Sequence, residues 1–307
     1  MIYLTESQTQ KLISHQLAYQ AIEQAFVAAC SSDSTLFPVV NAAGPQQGSM
    51  FSMKSACTST LVGWKTGSYW PENINKGLAN HGTTIFLLNP ETGALHAIVE
   101  ANQVNAYRTA AADAVAVNHL ARQDAQTLTV FGTGHQAEYD VSAVCEVRNI
   151  DKVFVVGRSK ENSERFIKNL AKREIEATVA SGQYGTENAD IIITATTACQ
   201  PLFSAEWVKQ GTHISAMGAD KVGKHELPNA LYDQAVLFCD LASQSKVIGE
   251  FQHSPATSLT EIGQVISKGA AGRTSDKEIT IFDSSGIAIQ DLFVADKLIE
   301  LIELSSR

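Results

Sequence analysis

The stretch Thr127-Leu128-Thr129-Val130-Phe131-Gly132-Thr133-Gly134-His135-Gln136-Ala137 decides the fold. A short run of β-branched and apolar residues leads into two glycines one residue apart, with a small residue three positions after the second. That is the order of a strand, a tight turn and a helix start, the phosphate-binding opening of a βαβ unit. The first glycine makes the turn, the second lets backbone approach a pyrophosphate, and Ala137 allows close helix–strand packing. The helix N-terminus adds amide donors and the positive end of its dipole. Gly132, Thr133, Gly134, His135, Gln136 and Ala137 are therefore candidate dinucleotide-binding residues. The motif alone is weak, because any turn can be glycine-rich; its flanking strand and helix carry the reading.

Downstream, Lys152–Val156 reads as a second strand and Ser159–Lys172 as a helix. Further strands are expected at Ala177–Ala180, Ile191–Thr194, His213–Ala216, Val236–Cys239 and Ile279–Phe282. Strands alternating with helices predict an α/β fold with a Rossmann-type, doubly wound parallel sheet. Ligands bind at the carboxyl edge of such a sheet, which adds Thr194, Ala195, Thr196, Met217 and Gly218 to the candidates. The second strand runs into Gly157-Arg158-Ser159-Lys160, with no acid for a ribose 2′-hydroxyl. Gly157, Arg158 and Ser159 then read as the ribose end of the site, and the cation and hydroxyl favour NADP(H) over NAD(H). The alternative is a set of solvated charges at a helix start.

Upstream, residues 5–30 read as helix, and a Ser-, Gly- and Pro-rich loop runs from Ser31 to Ser49. Strand-like runs follow at Ser49–Ser55, Leu61–Ser68 and Thr83–Leu88, and the turn Asn89–Gly93 joins the last to Leu95–Glu100 in a hairpin. Val104–Leu120 is helical and Ala-rich. The chain thus divides into an N-terminal α+β domain, residues 1–118 joined by a C-terminal helix within 289–307, and a dinucleotide-binding domain, residues 119–288.

Composition narrows the partners. A chain of 307 residues, 44% hydrophobic and 18% charged, is an ordinary globular protein. Its net charge of −9, without a basic cluster, argues against nucleic acid. Five scattered cysteines with no CxxC spacing suit a reducing cytoplasm and give no metal site. Neither a signal peptide nor a membrane-length apolar run is visible, so a cytoplasmic protein is expected.

Arg108 stands out in the apolar, small-residue helix Asn105-Ala106-Tyr107-Arg108-Thr109-Ala110-Ala111. A planar bidentate donor there suits a substrate carboxylate, and a structural ion pair with an acid such as Glu100 explains it equally well.

Here the sequence resembles the ornithine cyclodeaminase/mu-crystallin family over nearly its whole length. The marks are Gly63-Trp64-Lys65, Pro71-x-Asn73, His81-x-x-Thr84, Arg108-Thr109-Ala110-Ala111, the GxGxxA helix, Gly218-Ala219-Asp220-x-x-Gly223-Lys224-x-Glu226-Leu227 and Phe282-Asp283-Ser284-x-Gly286. The resemblance implies that the N-terminal domain binds substrate and forms a homodimer, with the Rossmann domain behind it. It implies that Lys65, Thr84 and Arg108 surround the substrate carboxylate, that Asp220 is the catalytic acid/base alongside Lys65, and that Thr109, Ser285 and Gly286 also meet the cofactor. Read alone, Lys65 is better explained as a solvated strand lysine, and the motif context reverses that.

Ornithine cyclodeaminases carry an acid on the preceding strand for the distal amine, and here Ser52 aligns there with Lys54 close by. A site with Lys54, Lys65, His81 and Arg108 would repel a diamine, unless Lys54 and His81 face solvent. The resemblance implies an NAD(P)H-dependent reductase of a small imino acid, iminosuccinate or a cyclic ketimine such as Δ1-pyrroline-2-carboxylate. An alanine-dehydrogenase-like enzyme, an ornithine cyclodeaminase using NAD catalytically, and a mu-crystallin-type binding protein remain alternatives.

Overall fold

The structure, a computed structural model, describes residues 1–305, so the last two residues of the expected 289–307 segment lie outside it. The chain divides into two compact units, Met1–Arg108 with the segment from Ile287, and Thr109–Gly286. The first cut falls inside the helix Asn102–Leu120, earlier than the 118/119 boundary expected at that helix's end, and the second falls at 286/287 rather than 288/289.

In the first unit, strands β1 (Ile2–Leu4), β2 (Thr35–Leu36), β3 (Val40–Ala43), β4 (Met50–Cys57), β5 (Val62–Tyr69), β6 (His81–Leu88) and β7 (Leu95–Glu100) form one sheet. Its order is β1-β7-β6-β5-β4-β2, with β3 also on β4. β1 runs parallel to β7, while the other pairings are antiparallel. The expected helix over 5–30 is two helices, Glu6–Leu12 and His15–Ala29. Ile13 is extended between them, and Ser14 caps the second by accepting from the Leu17 amide.

Alternation gives the sheet two unlike faces. Ala56, Gly63, Lys65, Ile85, Leu87, Ala97 and Val99 share one, which is buried. The C-terminal helix Ala288–Ser305 lies over β4, β5 and β6 and against His15–Ala29. Gly63 permits this approach, since a Cβ there would lie 2.1 Å from the Phe86 carbonyl oxygen and 3.1 Å from Leu292. The other face carries the stacked pair Trp64–Phe86, with ring centroids 4.9 Å apart, and the exposed Val40, Phe51 and Met53.

In the second unit, β8 (Thr127–Phe131), β9 (Lys152–Val156), β10 (Ala177–Val179), β11 (Ile191–Thr194), β12 (His213–Ala216), β13 (Ala235–Cys239), β14 (Thr260–Glu261) and β15 (Ile279–Asp283) form a parallel sheet in the order β10-β9-β8-β11-β12-β15-β13-β14. Every residue of β11, β12 and β15 is buried, as central strands covered on both faces must be. Strand order reverses between β8 and β11, so the loops leaving their carboxyl ends diverge there and open a crevice. The expected strands are all present, each within one or two residues of its predicted ends; β14, only two residues long, was not foreseen, nor were β1, β2 and β3 of the first unit, the last two lying in the stretch Ser31–Ser49 expected as a loop.

Candidate functional site

The second unit collects its candidate residues along one edge. The turn after β8 places Gly132 at φ 122°, and a Cβ there would lie 2.5 Å from the Ala195 carbonyl oxygen after β11. Only glycine fits that close, left-handed passage. Gly134 caps the helix His135–Val147 with no side-chain hydrogen bond, and a Cβ on it would meet nothing within 4 Å. A helix N-terminus beside open space is what a pyrophosphate requires. Ala137 is fully buried, consistent with close packing of the helix on the sheet. Arg158 and Gly157 are exposed after β9, and Ser159 caps the helix Lys160–Ala171 by accepting from the Asn162 amide at 3.2 Å.

Two buried carboxylates organise the remaining loops of this edge. Glu226 accepts from Thr194 Oγ1 (2.8 Å), Thr196 N (2.7 Å), Thr196 Oγ1 (2.6 Å) and Gly218 N (3.0 Å), tying the ends of β11 and β12 together. Gly218 has no room for a side chain, because a Cβ would lie 2.4 Å from that carboxylate. Burial pushes Glu226 up to about 7, against the pull of Thr196 and Thr194. Asp240 accepts from Ser285 Oγ at 2.9 Å and Gly286 N at 2.6 Å, and Gln244 donates to both Ser285 and Gly286. Met217 is buried beside Gly218. These residues fit a dinucleotide along the carboxyl edge.

The first unit holds a cluster of charge. Lys65 on β5 and Arg108 on the helix Asn102–Leu120 are 7% and 8% exposed. Lys65 Nζ donates to Asn105 Oδ1 at 2.5 Å and to Asp291 Oδ1 at 3.1 Å. Arg108 Nε lies 3.2 Å from the same Asp291 oxygen, Nη2 donates to Asn105 Oδ1 at 2.8 Å, and Nη1 to Gln290 Oε1 at 3.4 Å. Arg108 therefore has its acid, but it is Asp291 and not Glu100, which instead accepts from Tyr3 and the Glu6 amide. Burial, then the Arg108 charge, brings Lys65 down to about 7, with Asp291 opposing the shift. Burial would raise Asp291, yet Lys65 and Arg108 outweigh it and hold the carboxyl below its usual range.

The other expected substrate residues fall in different places. Lys54 on β4 is in register with Lys65 and half-buried, and its charge acts on both Lys65 and Asp291. Thr84 pairs with Thr66, one position out of phase with Lys65, so its side chain lies on the opposite face of the sheet. The expectation that Thr84 joins Lys65 and Arg108 is therefore corrected: strict alternation along β6 gives the Lys65 face to Ile85 and Thr83 instead. His81 shares the Lys65 face but sits four residues along the strand, exposed, with its ring 4.8 Å from Tyr69. Asp220 follows β12 in the second unit, exposed, 2.7 Å from Lys224 Nζ. Thr109 is the first residue of that unit.

Comparison with known proteins identifies the family. The profile of the Ornithine cyclodeaminase/mu-crystallin family matches residues 1–305. The chain belongs to this family. It is 36% identical to the iminosuccinate reductase of Paracoccus denitrificans, over 98% of this chain and 96% of that one. The crystal structure of that reductase in complex with NAD+ superposes with a TM-score of 0.94 at 34% identity, covering 100% and 97% of the two chains. The Δ1-pyrroline-2-carboxylate reductase of Thermococcus litoralis, in complex with NADH and L-proline, gives a TM-score of 0.88 at 29% identity, covering 98% and 97%.

Sequence reasoning assigned no role to Asp291, Gln290 and Asp240, nor to Asn105 and Glu226, although these last two lie within the quoted motifs. A signal for Asp291 was present: it is the only charged residue in Ala288-Ile289-Gln290-Asp291-Leu292-Phe293-Val294-Ala295, at the start of an apolar helix. If the space beside Gly134 receives the pyrophosphate, Gly134→Val leaves the melting temperature within about 2 °C of wild type, since a Cβ there has no protein atom within 4 Å. Cofactor affinity, read by nicotinamide fluorescence titration, falls by at least tenfold. A normal titration curve for that variant contradicts the placement.

Proposed function

We propose that the chain is an NAD(P)H-dependent reductase that converts a small imino acid to the L-amino acid, with iminosuccinate as the preferred substrate. The observation that carries this is the buried Lys65–Arg108–Asp291 cluster, whose two cations exceed its one acid. A substrate α-carboxylate supplies the missing negative charge, in a site where charge is poorly screened. Lys54, in register with Lys65, adds a further cation on the same face and suits a second carboxylate. The iminosuccinate reductase and Δ1-pyrroline-2-carboxylate reductase relatives support the imino-acid class. Ser52 in place of an acid, with Lys54 beside it, disfavours the diamine of a cyclodeaminase.

A nicotinamide held along the carboxyl edge of the second unit would supply hydride chemistry for an imine carbon. Lys65 and Arg108 orient that carbon by holding the adjacent carboxylate. Asp220, exposed and paired with Lys224, relays from solvent the proton that the imine nitrogen takes up. We read Gly132, Thr133, Gly134, His135 and Gln136 as the pyrophosphate cradle. Glu226 and Asp240 hold in place the loops that carry Thr194, Ala195, Thr196, Met217, Gly218, Ser285 and Gly286. We further propose a cytoplasmic homodimer, joined through the sheet face that exposes Val40, Phe51 and Met53. An archaeal alanine dehydrogenase dimer in complex with NAD superposes at TM-score 0.91 and 30% identity.

Arg158 and Ser159 favour NADP(H) within this reading. A hydroxyl that accepts a capping bond still has its proton to donate, and Arg158 adds a fork for a 2′-phosphate. Losing one charge-assisted pair costs about 1.5–3 kcal/mol, so Arg158→Asp raises the KM for NADPH by at least about tenfold and leaves NADH within about twofold. Equal effects on both cofactors contradict the assignment.

The reaction is tested by following nicotinamide absorbance with oxaloacetate plus ammonia, which generate iminosuccinate, and with Δ1-pyrroline-2-carboxylate. Oxidation of NAD(P)H with formation of L-aspartate is expected. Lys54→Met lowers kcat/KM for iminosuccinate by about tenfold, the equivalent of ~1.4 kcal/mol, and leaves the cyclic monocarboxylate within about twofold. Equal losses for both substrates contradict the dicarboxylate preference, and no oxidation with either contradicts the reaction.

A further inference from the structure

Asp291 has no part in the reaction just described, yet the carboxylate clamp is built around it. It lies in the first turn of the helix Ala288–Ser305, 2% exposed. The charged groups that face Lys65 are Lys54 from β4, Arg108 from the helix Asn102–Leu120 and Asp291 from the C-terminal helix; its partner on β6 is the apolar Ile85. One oxygen, Asp291 Oδ1, meets both buried cations, at 3.1 Å from Lys65 Nζ and 3.2 Å from Arg108 Nε. Asn105 Oδ1 bridges the same two groups without charge.

The donor count shows what this leaves over. An ammonium has three N–H donors and a guanidinium five. Lys65 commits two, to Asn105 and Asp291, and keeps one. Arg108 commits Nε, one Nη2 proton to Asn105 and one Nη1 proton to Gln290, and keeps two. Without a counter-charge, two buried cations repel each other, and the lysine escapes the repulsion by losing its proton.

We propose that Asp291 is the positioning residue of the clamp, keeping Lys65 and Arg108 charged and convergent so that their remaining donors meet one substrate carboxylate. This rests on the reading of Lys65 and Arg108 as the substrate's carboxylate donors. Asp291 works against the burial and the Arg108 charge that bring Lys65 down to about 7. Removing its negative charge moves the Lys65 ionisation further down. The competent form is protonated, so activity that wild type keeps up to about pH 7 is lost at lower pH in the variant.

Asp291→Asn preserves shape, and Asp291→Glu preserves charge. Two readouts separate the possibilities. The first is the pH titration of the Lys65 Cε resonance in 13C-lysine-labelled protein without substrate, identified by its disappearance in Lys65→Met. In Asp291→Asn the midpoint falls by at least about one pH unit, and in Asp291→Glu it stays within about half a unit. The second is the pH profile of kcat/KM, whose basic limb moves with the midpoint, so the loss in Asp291→Asn is at least about tenfold at pH 8 and small at pH 6. A Lys65 midpoint unchanged in Asp291→Asn, or a loss uniform across pH with only a lower melting temperature, overturns the proposal. Should Asp291→Asn fail to fold, a midpoint in Asp291→Glu displaced by a full unit overturns it equally. If the midpoint moves as expected while wild type reduces no imino acid, the reaction falls and the positioning of the two cations stands.

Discussion

Two cations cannot be buried side by side without a counter-charge, and in the first unit that counter-charge is Asp291. A buried ion pair does little for net stability, but removing one member leaves a stranded charge at a cost of about 3–5 kcal/mol. The elements that deliver the three charges are therefore mutually dependent. β5 brings Lys65, the helix Asn102–Leu120 brings Arg108 and Asn105, and the C-terminal helix brings Asp291 and Gln290. The absence of a side chain at Gly63, two residues before Lys65 on the same face, lets the C-terminal helix approach β5. The C-terminal helix thus completes a cluster begun by β5 and the helix Asn102–Leu120.

The second unit shows the same economy with the opposite sign. Here buried carboxylates gather donors instead of cations. Glu226 draws together the loops after β11 and β12, and Asp240 draws in the turn at Ser285 and Gly286. Such carboxylates replace the water their backbone donors would otherwise bind, so the loops leave the sheet edge in one arrangement. The helix N-terminus at Gly134 opens on free space, since a Cβ there would meet nothing within 4 Å.

Much of this was legible in the sequence, for identifiable reasons. The parallel sheet declares itself through short, β-branched runs such as Ile191–Thr194, which stay apolar because both faces are covered. The phosphate turn declares itself through glycines whose conformation no other residue adopts at low cost. Arg108 is visible as a cation in an apolar, small-residue helix, and Lys65 through the Gly63-Trp64-Lys65 mark of the family resemblance. What was not legible depends on contacts between distant segments. The phase of β6 relative to β5 decides which face Thr84 takes, and pairing register is not written in either strand alone. The insertion of β15 between β12 and β13 follows from packing over the whole unit. Asp291 meets Lys65 across 226 positions of sequence, and only the fold brings them together.

The central claim is that Arg108 and Lys65 form a geometric clamp for a carboxylate, and Arg108→Lys tests it most directly. The substitution keeps the positive charge beside Asp291 and removes the planar fork. Measured as kcat/KM for the imino acid, with the melting temperature as a control for folding, it is expected to fall by at least tenfold, about 1.4 kcal/mol of transition-state binding, while the protein stays folded. A wild-type kcat/KM in folded Arg108→Lys would show that the cluster is a structural ion pair and that the substrate is held elsewhere.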